Sequence, residues 1–128
     1  MLTLVGSSKK ESKSKMLVFG FVDNIQDLMA ASDLLVGKGG GLTITESLCM
    51  GLPMVLVGAL PGQETRNVSC MLSNGSARRA HSTTQAVSQI KEFISHPELL
   101  REYRLSAEKL GKPRAAYQIG ELAQEVCH

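Results

Sequence analysis

The feature that most constrains the fold is a short run, residues 53–57, in which every residue is apolar. A strand with one solvent-exposed face alternates apolar and polar residues, whereas a strand buried on both faces is apolar throughout. Parallel sheets with helices on both sides produce this second pattern. The run therefore predicts a buried parallel strand within an α/β fold.

Other segments supply the remaining elements of such a fold. Short apolar runs predict further strands at residues 2–5, 16–22 and 33–36, and a weak edge strand at 76–80. Capping residues and helical spacing predict helices at residues 25–32, 42–50 and 62–72, followed by a helical tail at about 87–94, 99–110 and 116–126. Alternation of the two types predicts a Rossmann-like doubly wound parallel sheet with right-handed crossovers and C-terminal helices.

Composition limits the classes of function. At 128 residues the chain fits one domain, and its net charge of +2 with no Trp gives no basis for binding nucleic acid. No apolar run is long enough to cross a membrane, and no basic segment precedes the first apolar residues, so we expect no secretory signal. The three cysteines are widely spaced and indicate neither a disulfide framework nor a metal site.

A glycine-rich loop separates a predicted strand from a predicted helix. Residues 38–41, Lys-Gly-Gly-Gly, follow the strand at 33–36 and precede the helix at 42–50. Glycines let a phosphate approach the backbone, and the free N–H groups of a helix N-terminus attract anions. The spacing matches neither the dinucleotide fingerprint nor the Walker pattern. The loop is compatible with a diphosphate site or with a plain tight turn.

Glu46 lies three residues after Thr43 in that helix. Its carboxylate could accept hydrogen bonds from a vicinal diol such as a ribose. The Thr-x-x-Glu spacing is also that of a capping box, in which the glutamate bonds to a backbone N–H. Farther along, residues 61–67 carry adjacent amide and carboxylate side chains that suit sugar recognition or a solvated helix N-terminus.

Five segments together resemble the C-terminal domain of one glycosyltransferase family. That family includes monogalactosyldiacylglycerol synthases, bacterial diacylglycerol glucosyltransferases and the peptidoglycan N-acetylglucosaminyltransferase that makes lipid II. The resemblance runs from about residue 17 to 126 and implies one half of a GT-B fold. The segments are GFVDN at 20–24, ASDLLV at 31–36, GGLTITESL at 40–48, GLP at 51–53 and PGQE at 61–64.

The resemblance implies a role for individual residues in binding a UDP-sugar. The backbone near Val22 would meet the uracil, and Glu46 would bind the ribose hydroxyls. Gln63 and Glu64 would contact the donor sugar, with Asn67 supporting them. The diphosphate would be bound by Gly39, Gly40, Gly41, Leu42 and Thr43.

The chain also departs from the family pattern. From the resemblance we expect the first strand, loop and helix of that domain to be missing, and with them the whole N-terminal domain, which in the family would supply the acceptor site and the general base. His81, His96 and His128 each have a simple structural or solvent interpretation, so we expect no catalytic residue. No Asp-x-Asp cluster is present, so we expect no metal ion. We therefore expect the chain alone to be inactive.

Partners and location follow from the same resemblance. We expect a UDP-hexose as a substrate, no cofactor, and a lipid acceptor reached through a missing N-terminal domain or a partner subunit. Residues 7–15 contain four lysines and predict a flexible basic loop, either solubilising or in contact with anionic lipid. A cytoplasmic or plastid protein, peripheral on a membrane, is the expectation.

Two functions of different classes remain open from the sequence. The first is the donor-binding half of a transferase that moves a hexose to a lipid such as diacylglycerol. The alternative is a non-catalytic nucleotide-binding or interaction module left from a truncated or split glycosyltransferase. A shortened sheet would also expose an apolar flank that favours self-association.

Overall fold

The computed structural model describes residues 3–4, 16–58 and 66–127, and these ranges contain four strands and six helices. The strands are β1 (Thr3–Leu4), β2 (Leu35–Gly37), β3 (Met54–Leu56) and β4 (Ala77–Arg79). The helices are α1 (Ile25–Ala30), α2 (Gly41–Cys49), α3 (Arg66–Ser73), α4 (Thr83–Ser95), α5 (Pro97–Leu110) and α6 (Ala115–Val126).

The sheet has the order β1-β2-β3-β4. β2, β3 and β4 are parallel, with Val36 opposite Val55 and Val55 opposite Arg78. The predicted α/β sheet with a weak strand at its edge is confirmed. β1 differs from an all-parallel arrangement because it runs antiparallel to β2. Sheets of this class often carry one antiparallel strand at an edge.

Helices cover both faces of the sheet, as predicted for a doubly wound fold. The side chains of β3 alternate between the faces: Met54 and Leu56 join one core cluster, and Val55 joins the other. The first core cluster comes from β2, β3, β4, the first three helices and the connection before β3, and contains Met29, Leu35, Ile44, Leu52, Met54, Leu56, Val68, Met71 and Ala77. The second core cluster contains Leu34, Val55, Ala80, Ala86 and Phe93 and faces α4 and α5.

The C-terminal end of α2 is tightly fixed. Gly51 has a φ of 62°, the left-handed conformation expected of the glycine that follows a helix, and its N–H bonds to the Leu48 carbonyl at 3.1 Å. The buried Ser47 hydroxyl donates to the Leu52 carbonyl. Gly111, just after α5, lies so close that a Cβ there would be 2.3 Å from the Leu48 oxygen. α2 is thereby anchored to β3 and α5.

Two aromatic rings and a guanidinium pack together at the border of the second core cluster. The rings of Phe93 and Tyr103 meet edge to face at 5.1 Å, and the Arg78 guanidinium lies 4.9 and 5.3 Å from their centroids. Arg78 Nη1 bonds to a Glu92 carboxylate oxygen at 2.6 Å. This hydrogen bond is the main cause that lowers the pKa of Glu92 and raises that of Arg78. β4 and α4 are tied together by these contacts.

One predicted strand is wrong. Residues 16–22 form no regular structure, and Met16 and Phe21 are 84% and 97% exposed. An apolar run becomes a strand only when a neighbouring strand bonds to its backbone, and no described strand lies beside this one. Elsewhere the bounds of the described elements shift by one or two residues, except that α4 starts at Thr83, four residues before the start predicted for it. Residues 7–15 and the predicted helix start at 62–65 lie outside the described residues.

α6 is formed as predicted, but no described part of the chain buries its apolar side chains. None of its residues is buried, and its large apolar side chains, Tyr117, Ile119, Leu122 and Val126, are all exposed. An isolated helix of about 12 residues is only marginally stable in water. Among the described helices none combines the length and the apolar character that a membrane crossing requires.

Candidate functional site

The candidate site lies at the edge of the sheet where β2 and β3 end. Because these strands are parallel, the chain leaves both at the same edge. After β2 it enters α2 through a three-residue loop, and α3 is the next described helix after β3. α2 and α3 pack against each other. Parallel α/β sheets place their ligands at this edge, beside helix N-termini.

Gly39 packs directly on α3. A Cβ at Gly39 would lie 2.8 Å from Val68 Cγ2 and 3.2 Å from Leu56 Cδ2. Packing against these side chains is therefore sufficient to explain the glycine. The same contact brings the loop to the first turn of α3, next to the exposed Asn67. Two of the predicted site regions are thus adjacent in space.

Gly40 and Gly41 have no such structural explanation. A Cβ at Gly41 would meet nothing within 4 Å, and one at Gly40 would only touch Thr43 Oγ1 at 3.9 Å. Gly40 has a φ of −67°, which any residue adopts. Both glycines are exposed. Their missing side chains leave the backbone at the start of α2 open to a ligand.

The N-terminus of α2 carries free donors. Gly40 is the N-cap residue, and no side chain caps the helix. The N–H groups of Gly41, Leu42 and Thr43 precede the first intrahelical bond, which Ile44 donates to the Gly40 carbonyl at 2.9 Å. Within the described residues these three N–H groups have no hydrogen-bond acceptor. Together with the helix dipole they form an arrangement that attracts an anion.

The structure excludes the capping box that the sequence left open for Glu46. A capping box requires Thr43 as N-cap, but the helix begins two residues earlier, at Gly41. Glu46 is exposed, and its carboxylate has no hydrogen bond or ion pair in the described part of the chain. Residues three and four apart share a helix face, so Glu46 lies on the same side as Leu42 and Thr43.

Of the other residues predicted for the site, the structure describes two and leaves two outside its described ranges. Val22 is half-buried in the irregular segment before α1. Asn67 is the second residue of α3. Gln63 and Glu64 lie outside the described residues, so their predicted contacts with the donor sugar remain predictions.

Sequence reasoning left one charged residue out of the site. Lys38 is exposed, follows β2 directly, and accepts the Gly40 N–H at its carbonyl at 3.0 Å. Its side chain runs toward Gly58, in the loop after β3. The signal available in the sequence was its position immediately before the glycines.

The described histidines are His81 and His96, and the interpretation of their side chains remains a prediction. His96 joins α4 to α5, and its Nδ1 lies 3.1 Å from Glu98 Oε1. The pKa of Glu98 lies below its ordinary value, chiefly through a hydrogen bond to its own backbone N–H and secondly through His96. The backbone N–H of His81 donates to Gln85 Oε1 at 2.7 Å. Within the described ranges no group of three or more His, Cys, Asp or Glu residues could hold a metal ion.

The fold and the position of the site define a Rossmann-like domain of the kind that forms half of a GT-B glycosyltransferase. A crystal structure of MurG from Acinetobacter baumannii has a TM-score of 0.72 to this chain at 24% identity. The match covers 85% of this chain and 33% of the MurG chain. Residues 3–116 match the glycosyltransferase family 28 C-terminal domain, and the chain belongs to this family.

Two curated relatives carry names that describe glycolipid synthesis. The probable monogalactosyldiacylglycerol synthase 2, chloroplastic, of Oryza sativa subsp. indica is 37% identical over 101 residues, 78% of this chain. The processive diacylglycerol beta-glucosyltransferase of Staphylococcus carnosus (strain TM300) is 30% identical over 115 residues, 90% of this chain. The matches cover 22% and 29% of these two relatives. The family that the sequence motifs indicated is thereby confirmed.

Proposed function

We propose that this chain is the UDP-sugar-binding half of a glycosyltransferase that moves a hexose to a lipid acceptor such as diacylglycerol. The observation that carries the proposal is the start of α2, where three free N–H groups lie beside two glycines whose missing side chains nothing else explains. A UDP-sugar presents a diphosphate to such donors. Fixed donors would also stabilise the charge that develops on the leaving diphosphate during transfer.

The rest of the nucleotide would lie along the same edge. Glu46, exposed on the first turns of α2, would accept hydrogen bonds from the ribose hydroxyls. The backbone near Val22 would contact the uracil. Asn67, next to the Gly39 contact on α3, would support Gln63 and Glu64 at the donor sugar.

The lipid acceptor is proposed from the relatives. Both have names that include diacylglycerol, and each matches this chain over more than three quarters of its residues. The acceptor site and the general base would come from the part of the relatives that this chain does not match. Peripheral contact with a membrane would bring the acceptor to the site.

Calorimetric titration of UDP and UDP-hexoses into the chain tests the donor site. Saturable binding is expected, and Glu46→Gln should weaken it by about tenfold or more, because hydrogen bonds to a charged group contribute about 1.5–3 kcal/mol. Glu121→Gln is the matched control, since Glu121 is an exposed carboxylate on α6 and is not among the site residues. It should bind UDP with the affinity of the unmodified chain.

Absence of UDP binding at millimolar ligand, with a protein that circular dichroism shows to be folded, would refute the donor site. Equal effects of Glu46→Gln and Glu121→Gln would instead remove Glu46 from the site while leaving nucleotide binding in place.

A further inference from the structure

Lys38 is a cation at the candidate site that has no partner among the described residues. Its ammonium group makes no ion pair in the described part of the chain. Two other cations of the domain are paired: Arg78 lies 2.6 Å from Glu92, and Arg104 lies 3.5 Å from Asp33. Folding therefore leaves the charge of Lys38 available to a ligand.

The side chain of Lys38 crosses from one loop of the site to the next. Its Cε and Cγ lie 3.5 and 3.8 Å from the position that a Cβ would take at Gly58. Gly58 follows β3 and has a φ of 69°, a conformation that favours glycine. These are ordinary van der Waals distances, so the stem of Lys38 packs on the loop after β3. The Cε atom that carries the ammonium therefore lies beside Gly58, at the sheet edge where β2 and β3 end.

The amides at the start of α2 donate hydrogen bonds but carry no full charge. A nucleoside diphosphate brings roughly two to three negative charges into the site at neutral pH, because a phosphate group carries about −1.5 to −2. A lysine acts on phosphate as a mobile point charge. We propose, on the basis of the proposed function, that Lys38 binds the donor diphosphate and makes the site prefer a nucleoside diphosphate to the uncharged nucleoside.

Lys38→Met separates this role from a structural one. Methionine keeps an unbranched apolar stem that can pack over Gly58, while it removes the positive charge. Lys38→Arg restores the charge with a different donor geometry. Lys91→Met is the matched control, because Lys91 is exposed on α4, which packs on the second core cluster, whereas α2 and α3 pack on the first.

Titration of UDP and of uridine into these variants tests the proposal. Lys38→Met should weaken UDP binding by about tenfold, since it removes a charge-assisted hydrogen bond to phosphate. Uridine affinity should stay within about twofold of the unmodified chain, and Lys38→Arg should recover most of the UDP affinity. The salt dependence of UDP binding should be weaker in Lys38→Met, because exposed charges are screened by salt. Lys91→Met should leave all of these unchanged.

Three results would overturn the inference, and they separate it from the proposed function. If Lys38→Met binds UDP normally while Glu46→Gln binds it weakly, Lys38 has no role and the donor site stands. If Lys38→Met weakens UDP and uridine equally, its role is structural. If the unmodified chain does not bind UDP, the donor site and the role of Lys38 fall together.

Discussion

β3 and α6 show opposite outcomes for apolar sequence in the same chain. Met54, Val55 and Leu56 of β3 are all buried, because helices cover both faces of the sheet. α6 is four times as long, twelve residues against three, and buries none of them. Both segments were predicted correctly as elements. What differs is whether the described chain supplies a surface for their apolar side chains to pack on.

An apolar pattern therefore shows which face of a strand or helix favours burial. Whether that face is buried depends on what the rest of the fold packs against it. Residues 16–21 belong with α6 in this respect, since they are apolar apart from Gly20 and exposed. Stability should accordingly be concentrated around β3, and substitutions in α6 should have little effect on it.

The largest expected difference in the free energy of unfolding is between alanine variants of two aromatic residues. Phe93 is 1% exposed and contacts Tyr103 and Arg78, so Phe93→Ala should lower the free energy of unfolding by about 4 kcal/mol. Tyr117 on α6 is 73% exposed, and Tyr117→Ala should change it by less than about 0.5 kcal/mol. Urea denaturation followed by circular dichroism measures both. A loss of more than about 2 kcal/mol in Tyr117→Ala would show that α6 is packed in solution and would break the comparison.

Replacing a glycine by alanine should change the stability in opposite directions at two positions. At Gly111 a Cβ would lie 2.3 Å from the Leu48 carbonyl oxygen, so Gly111→Ala must displace the end of α5 from α2 and should destabilise by about 2 kcal/mol. At Gly120, inside α6, a Cβ would meet nothing within 4 Å, so Gly120→Ala should stabilise the helix by about 0.5–1 kcal/mol.

Thermal and urea unfolding of the two variants should thus move in opposite directions. A Gly120→Ala variant that loses stability would mean that the surface of α6 at this position is covered in solution. That result would sharpen the comparison by locating the contact on one face of the helix.

The smallest expected effect is a pH dependence at the border of the second core cluster. Arg78 holds the pKa of Glu92 below its ordinary value, so the pair stabilises the fold above the pKa of the unfolded chain. That contribution is lost as the pH falls from neutral through the ordinary pKa of a glutamate, about 4.3, to the lower pKa of the folded state. Glu92→Gln should therefore lose less stability over this range than the unmodified chain does. Urea titrations of both proteins at the two ends of the range measure these losses. If the two proteins lose the same stability, the ion pair contributes nothing.

Local sequence was sufficient to predict the strands and helices that depend on their own residues. The unbroken apolar run predicted β3, although the strand is one residue shorter at each end. Gly51 predicted the end of α2 because a left-handed residue is needed there. Residues 16–22 failed because a strand needs a backbone partner, and the run itself contains no information about that partner.

In the candidate site too, local sequence predicted some features, and others depend on contacts between residues far apart in the chain. Glycines between a strand and a helix predicted an open helix N-terminus, and Gly40 and Gly41 provide it. The contact of Gly39 with Val68 joins residues far apart in sequence, so only the packing of α2 on α3 reveals it. The Lys38 side chain likewise lies beside Gly58, a residue of another loop. Spacing alone also favoured a capping box for Glu46, which the true helix start at Gly41 removes.

The anchoring of α2 at its C-terminal end has a thermodynamic consequence for its other end. Ser47, Gly51 and Gly111 fix the helix to β3 and α5 before any ligand arrives. The free amides at its start therefore need no ordering when an anion binds, and the conformational entropy that flexible loops lose on binding is already spent in folding. Binding at this helix should consequently show a small heat-capacity change, because little apolar surface is newly buried and no segment folds around the ligand.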